Sequence, residues 1–182
     1  MSNDAFTAQG SRPTCVDRHE IEDVLTDYCH HLDRMDLSAL AGLFTHDCVV
    51  IYGPEPHLTA CGRAALAASL ARMWRWKRTA HHLSNLRICA LTSDAARAES
   101  YVLAWHERPD GQTATLYGRY LDLLTRTPDG WRIQERRMDM NGADQGFRVA
   151  IPQAIRAAPP PGWRPPEGID GAPPDQDRPA AI

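Results

Sequence analysis

Histidines and one aspartate are the residues of this chain whose types and spacing suit chemistry. His81-His82 open a long strand-like segment, and His106 stands near the end of the next. If these segments pair as a hairpin around Ser93-Asp94, the shortest register sets His81 directly opposite His106. A slip of one residue would turn the two rings to opposite faces. A neutral imidazole takes a proton near pH 7, and a carboxylate on its other nitrogen fixes the tautomer and stabilises the imidazolium. Asp33 is the carboxylate the sequence offers. It stands at the end of a half-buried helical stripe, where the helix dipole gives an anion no support. Two arrangements fit this pattern. In one, Asp33 orients His81 as a base; in the other, His81, His82 and His106 are surface or core residues and Asp33 caps a turn.

Other chemistries lack their signatures. His30, His31, Asp33, His81, His82 and His106 offer metal ligands, but there is no H-E-x-x-H and no familiar Cys/His spacing. G-x-S-x-G, P-loop and G-x-G-x-x-G motifs are also missing. Neither a metal nor another cofactor is therefore expected. The five cysteines, Cys15, Cys29, Cys48, Cys61 and Cys89, include no C-x-x-C pair and are odd in number, which fits reduced structural thiols. A net charge of −3 argues against nucleic-acid binding. The one basic run, Arg75-Trp76-Lys77-Arg78, reads as a solvated helix end and linker. The polar N-terminus has no targeting pattern and no stretch reaches membrane-spanning length, so a cytoplasmic protein without a membrane partner is expected.

The elements that must position Asp33 and His81 follow from periodicity. With 182 residues, of which 43% are hydrophobic, the chain is long enough for one domain with a real core. Ile21, Val24, Leu25, Tyr28 and Leu32 form a helical stripe within about Val16–Asp33, with Thr14 and Asp17 as an N-terminal cap. Asp36 caps a short second helix carrying Leu37, Leu40, Leu43 and Phe44. Cys48–Tyr52 reads as a buried strand, and about Gly62–Trp74 as a third helix. Long strands follow over Thr79–Leu91, Ala95–Glu107, Thr113–Arg126 and Trp131–Asn141, joined by Thr92-Ser93-Asp94, Pro109-Asp110-Gly111 and Thr127-Pro128-Asp129-Gly130. Helices followed by a meander give an α+β class. The expected bounds are a flexible 1–14 segment, a domain over 15–157, and a proline-rich tail over 158–182 that cannot bury enough to order.

The runs IEDVLTDYCHHLDRMDLSALAGLFTHD, RTAHHLSNLRI and YGRYLDLLTRTPDGWRIQERRMDMNG, in that order and spacing, resemble the SnoaL-like branch of the nuclear-transport-factor-like superfamily. The resemblance covers roughly Asp17–Asn141. It implies a cone-shaped α+β barrel with N-terminal helices packed on a curved, mostly antiparallel sheet. It is strongest to the superfamily's cofactor-free lyases: scytalone dehydratase, bile-acid dehydratase and hexachlorocyclohexane dehydrochlorinase. In those enzymes an aspartate ending the first helix supports a proton-abstracting histidine, and Asp33 and His81 stand at the matching places. His106 matches a second histidine of scytalone dehydratase, whereas Leu32 replaces the tyrosine that precedes its aspartate. Tyr28 and Tyr52 resemble the pocket tyrosines of the bile-acid enzyme. The implied function is a dehydratase-type elimination from a small hydrophobic, ring-bearing substrate, in a homodimer or homotrimer. The alternatives are an isomerase or cyclase using the same pocket, and a non-catalytic ligand-binding module or small subunit of an oxygenase.

Overall fold

The apolar stripe Ile21, Val24, Leu25, Tyr28 and Leu32 is buried along one side of a single helix, α1 (Cys15–Asp33). A computed structural model of the chain describes residues 14–144, 151–152, 158 and 160–162. Thr14 caps α1 in a reciprocal box: its hydroxyl accepts the Asp17 N–H, and the Asp17 carboxylate accepts the Thr14 N–H. At the other end the Asp36 N–H donates to His31 O at 2.9 Å and the Met35 N–H to Leu32 O at 3.0 Å. Met35 takes the left-handed conformation that such a terminus requires, with φ at 56°. This turn makes Asp33 the last helical residue and throws the chain into α2 (Leu37–Gly42), where the Asp36 carboxylate accepts the Ala39 N–H.

Next come β1 (Phe44–Ile51), a 3-10 turn (Pro56–Leu58), a short β2 (Thr59–Cys61) and α3 (Arg63–Leu70). The sequence reading did not foresee β2 or the turn before it. The third helix, expected to run unbroken to Trp74, tightens into a 3-10 turn over Ala71–Arg75. The four long strands are β3 (Arg78–Leu91), β4 (Ala95–Glu107), β5 (Thr113–Thr127) and β6 (Gly130–Ala143). All six strands form one sheet in the order β2-β1-β6-β5-β4-β3. Only β1 and β6 run parallel. The fold is thus α+β, with N-terminal helices on a curved, mostly antiparallel sheet. The sheet curls without closing, and β2 and β3 remain its edges.

The β3–β4 hairpin corrects the expected register. Beside the turn, Leu91 faces Ala96 and Ala90 faces Arg97, as a tight connection dictates. Bulges around Cys89 and around Asn85 then each insert one residue into β3. Farther out, His81 faces Ala104 and His106 faces Thr79, so the two histidines are not directly opposite. Two single-residue slips restore parity, and both rings stay on the inner face. Asn85 carries its bulge at φ 50°, a conformation that asparagine tolerates better than most residues.

A further irregularity between β5 and β6 skips Gln134, so that Leu124 faces Ile133 while Leu123 faces Glu135. Burial along β6 accordingly switches from Trp131 and Ile133 to Arg136 and Met138. Arg136 is thereby turned into the core opposite Asp122. Its Nε and Nη2 donate to the two carboxylate oxygens at 2.7 and 2.9 Å, and both side chains are wholly buried. The guanidinium lies 4.1 Å from the ring centroids of both Tyr28 and Tyr120.

The expectations for segment 1–14 and tail 158–182 lie almost wholly outside the described residues, as do 145–150 and 153–157 of the expected domain. All five cysteines are free. Among the described residues no helix is long and apolar enough to cross a membrane.

A doubly hydrogen-bonded buried pair is strongly destabilised by removal of one partner, because the other charge is left desolvated. Arg136→Met should lower the unfolding free energy by about 3–5 kcal/mol in urea titrations. The double variant Asp122→Leu/Arg136→Met should recover much of that loss. A double variant no more stable than the single one would contradict the electrostatic account.

Candidate active site

Three donors converge on the Asp33 carboxylate. Oδ1 accepts from His81 Nδ1 at 2.6 Å and from the Thr79 hydroxyl at 2.7 Å, while Oδ2 accepts the His81 backbone N–H at 2.9 Å. Thr79 and His81 reach the same carboxylate because they are two apart on β3 and share its inner face. Partial burial works to raise the Asp33 carboxyl, but the hydrogen bonds and charge of His81, with help from Thr79, outweigh it and hold the group below the usual carboxylate range. An ionised carboxylate only accepts, so Nδ1 of His81 must carry a proton. In the neutral ring the lone pair then resides on Nε2. The His81 side chain is 4% exposed and lines a cavity of about 70 Å³ that opens towards the surface.

Tyr28, from α1, and Tyr52, just beyond β1, line the same cavity, and their hydroxyl oxygens are 2.5 Å apart. One hydroxyl donates to the other, and the acceptor retains its own proton for a third partner. Burial pushes the Tyr28 phenol up, against the pull of Arg136 and the Tyr52 hydrogen bond. Burial also raises Tyr52 and Tyr120 well above the ordinary range. All three phenols therefore stay protonated at neutral pH and act as donors. Burial raises the neighbouring Cys29 thiol as well, to about 12, which keeps it unreactive.

His106 lines the cavity with its ring 5.4 Å from that of His81, edge to face, and 4.8 Å from the Trp76 ring. Its Nδ1 lies 3.3 Å from Ala114 O, an acceptor, so this nitrogen is the protonated one. Burial first, then the His81 charge, pull its pKa down to about 4. His106 is thus a neutral imidazole at neutral pH.

The structure therefore brings together all five residues singled out from the sequence. Four line the cavity, and Asp33 stands behind His81. The outer histidines do not join them: His82 is exposed to solvent, and His30 and His31 meet each other edge to face at 5.5 Å. Sequence reasoning missed Thr79, Tyr120 and Arg136. Period-two spacing from His81 was a signal for Thr79, and the buried alternation of β5 was one for Tyr120. Arg136 had none, since the skip at Gln134 reverses its face. On β4 the small residue Ala104 lines the hollow beside His106. Among the described residues no three His, Cys, Asp or Glu side chains converge as a metal site would require.

Residues 13–137 match the family model of the SnoaL-like domain. Among solved structures the chain is similar to a candidate scytalone dehydratase from Novosphingobium aromaticivorans. The two are 30% identical, covering 79% of this chain and 96% of that chain, with a TM-score of 0.73. A candidate aromatic ring hydroxylase from the same organism is 26% identical over 73% of this chain and 95% of that one, with a TM-score of 0.68. Hexachlorocyclohexane dehydrochlorinase LinA type 3 from Novosphingobium barchaimii shares the fold, at 20% identity over 76% of this chain and 100% of that one, with a TM-score of 0.63. No curated protein sequence matches. The family match holds α1, β1 to β5, β6 as far as Arg137 and all of Tyr28, Asp33, Tyr52, His81 and His106, and by it this chain belongs to the SnoaL-like family and has the nuclear-transport-factor-like fold.

Proposed function

We propose that the protein is a lyase of the dehydratase type, acting on a small ring-bearing substrate by acid–base chemistry of its own side chains. The observation that carries this reading is the 2.6 Å contact between Asp33 Oδ1 and His81 Nδ1. It leaves Nε2 as the basic nitrogen of a ring on the cavity wall. Nε2 removes a proton from carbon, one made acidic by an adjacent carbonyl. The electron pair forms the new carbon–carbon double bond as the hydroxyl on the next carbon departs. That oxygen takes a proton from the Tyr28–Tyr52 pair and leaves as water, and the proton held by His81 returns to the tyrosine pair through solvent. Asp33 stays ionised throughout and stabilises the imidazolium. The names of the scytalone dehydratase and dehydrochlorinase relatives agree with an elimination, and the apolar lining suits a hydrophobic ring.

A second reading draws on His106, whose ring lies 5.4 Å from His81. A neighbouring neutral imidazole gives the abstracted proton a route to another carbon, which would make the reaction an isomerisation. Product mass separates the two, since elimination loses water and isomerisation conserves the formula.

His81→Ala should reduce turnover of a cyclic β-hydroxy ketone by at least about 10²-fold, with far-ultraviolet circular dichroism unchanged. Asp33→Asn should act in the same direction, because the amide no longer fixes the tautomer. Near-normal activity in either variant would remove the assignment.

His106 also sets a pH dependence of stability. Its folded-state pKa of about 4 lies below the ordinary 6.5, so the unfolded chain binds the proton first. The stability it contributes is complete above pH 6.5 and is lost as pH falls from 6.5 to 4, by about 3 kcal/mol in all. Urea unfolding across that window should show a steeper acid loss in the wild type than in His106→Asn. Parallel slopes would contradict it.

A further inference from the structure

The cavity lining contains two cations that the proton transfer does not use. Arg72 and Arg75, on the 3-10 turn after α3, both line it, and among the described residues no Asp or Glu does. Their partners are neutral. Arg72 donates to Ser69 O and to the Ser69 hydroxyl at 2.5 and 2.7 Å, and its guanidinium lies 5.3 Å from the Tyr52 ring centroid. Arg75 donates to Arg72 O at 3.2 Å and lies 5.0 Å from the Trp76 ring centroid.

The basic run that the sequence presents as a solvated helix end is therefore divided. Lys77 and Arg78 both pair with Glu107, leaving that carboxylate doubly engaged. Arg75 turns the other way, towards Arg72 and the cavity. Partial burial, then repulsion from Arg72 and Arg108, lower the Arg75 pKa. Two neighbouring guanidinium groups, with no carboxylate among the described residues lining the same cavity, form a local positive field beside an apolar hollow. In such a low-dielectric setting a charged ligand is attracted more strongly than in water. A planar, forked donor also suits a carboxylate or phosphate better than any neutral oxygen.

We propose that Arg72 and Arg75 form a subsite for an anionic group, a carboxylate or a phosphate, carried by the substrate. The anion docks on the side of the cavity that holds Tyr52 and Met73, and the ring it is attached to extends inward towards His81. The substrate class is thereby narrowed from neutral ring compounds to ring-bearing acids or phosphate-bearing conjugates. This assignment rests on the cavity being the substrate site, but not on His81 being a base.

Calorimetric titration with matched probes tests it. At low salt the wild type should bind 2-naphthoate or 2-naphthyl phosphate about tenfold or more tightly than 2-naphthamide, as charge-assisted hydrogen bonds imply. The tighter of the two anions identifies the group preferred, and either supports the subsite. High salt should shrink the preference. Arg72→Gln/Arg75→Gln should bind naphthoate and naphthamide alike, whereas Arg78→Gln should keep the wild-type preference. Arg75→Gln alone, at an exposed position, should lose part of the preference and serves if the double variant fails to fold. Equal binding of the three probes by the wild type, no binding of any at millimolar concentration, or a preference that survives both Arg75 variants would overturn the subsite. Binding is read without turnover. An anion preference in a protein with no lyase activity would sink the elimination alone, and an active lyase without the preference would sink the subsite alone.

Discussion

The Asp33 carboxylate is the joint on which the site depends. It ends α1, where the backbone carbonyls give an anion no help, and it faces the edge strand of the sheet. Three donors from Thr79 and His81 supply what the helix terminus does not. The same bonds tie α1 to β3 and set the orientation of the His81 ring. Structure and chemistry are therefore coupled at one group. If the helix ended a residue earlier or later, the carboxylate would leave the strand and the imidazole would lose its fixed tautomer. The left-handed Met35 and the nested backbone hydrogen bonds onto the last helix carbonyls hold that boundary.

Around this joint the molecule separates base from acid. His81 is presented from the sheet edge, whereas the Tyr28–Tyr52 hydroxyl pair comes from α1 and the end of β1. Beneath the tyrosines the Asp122–Arg136 pair lies wholly buried, with the guanidinium stacked against the rings of Tyr28 and Tyr120. That cation moderates the upward pull of burial on the Tyr28 phenol. Ala104 of β4 lines the hollow, and so does Ile151, whose neighbour Pro152 accepts the Met140 N–H at 2.7 Å. A neutral His106 fills the gap beside His81 without adding a competing charge.

Much of this was legible because it followed from period and punctuation. The 3.6-residue stripe of α1, its Thr14–Asp17 cap, and the long strands between Asp- and Gly-containing turns were all readable, and so was the α+β order. The chemical residues stood out by type. The failures share one physical origin. Bulges obey local backbone conformation rather than side-chain period, and they moved the β3–β4 register by two and reversed the face of β6. Asn85, a poor strand former in the middle of a strand, was the only written trace of the first. Nothing marked Gln134, so nothing in the sequence singled out Arg136.

The account stands or falls on the protonation state that Asp33 imposes on His81. Long-range proton–nitrogen correlation NMR of the histidine side chains, at neutral pH, reports it directly. The account predicts that His81 carries its proton on Nδ1, with a far-downfield resonance that disappears in Asp33→Asn. A His81 ring protonated on Nε2 instead, or one whose tautomer is unchanged when Asp33 is replaced, would contradict it.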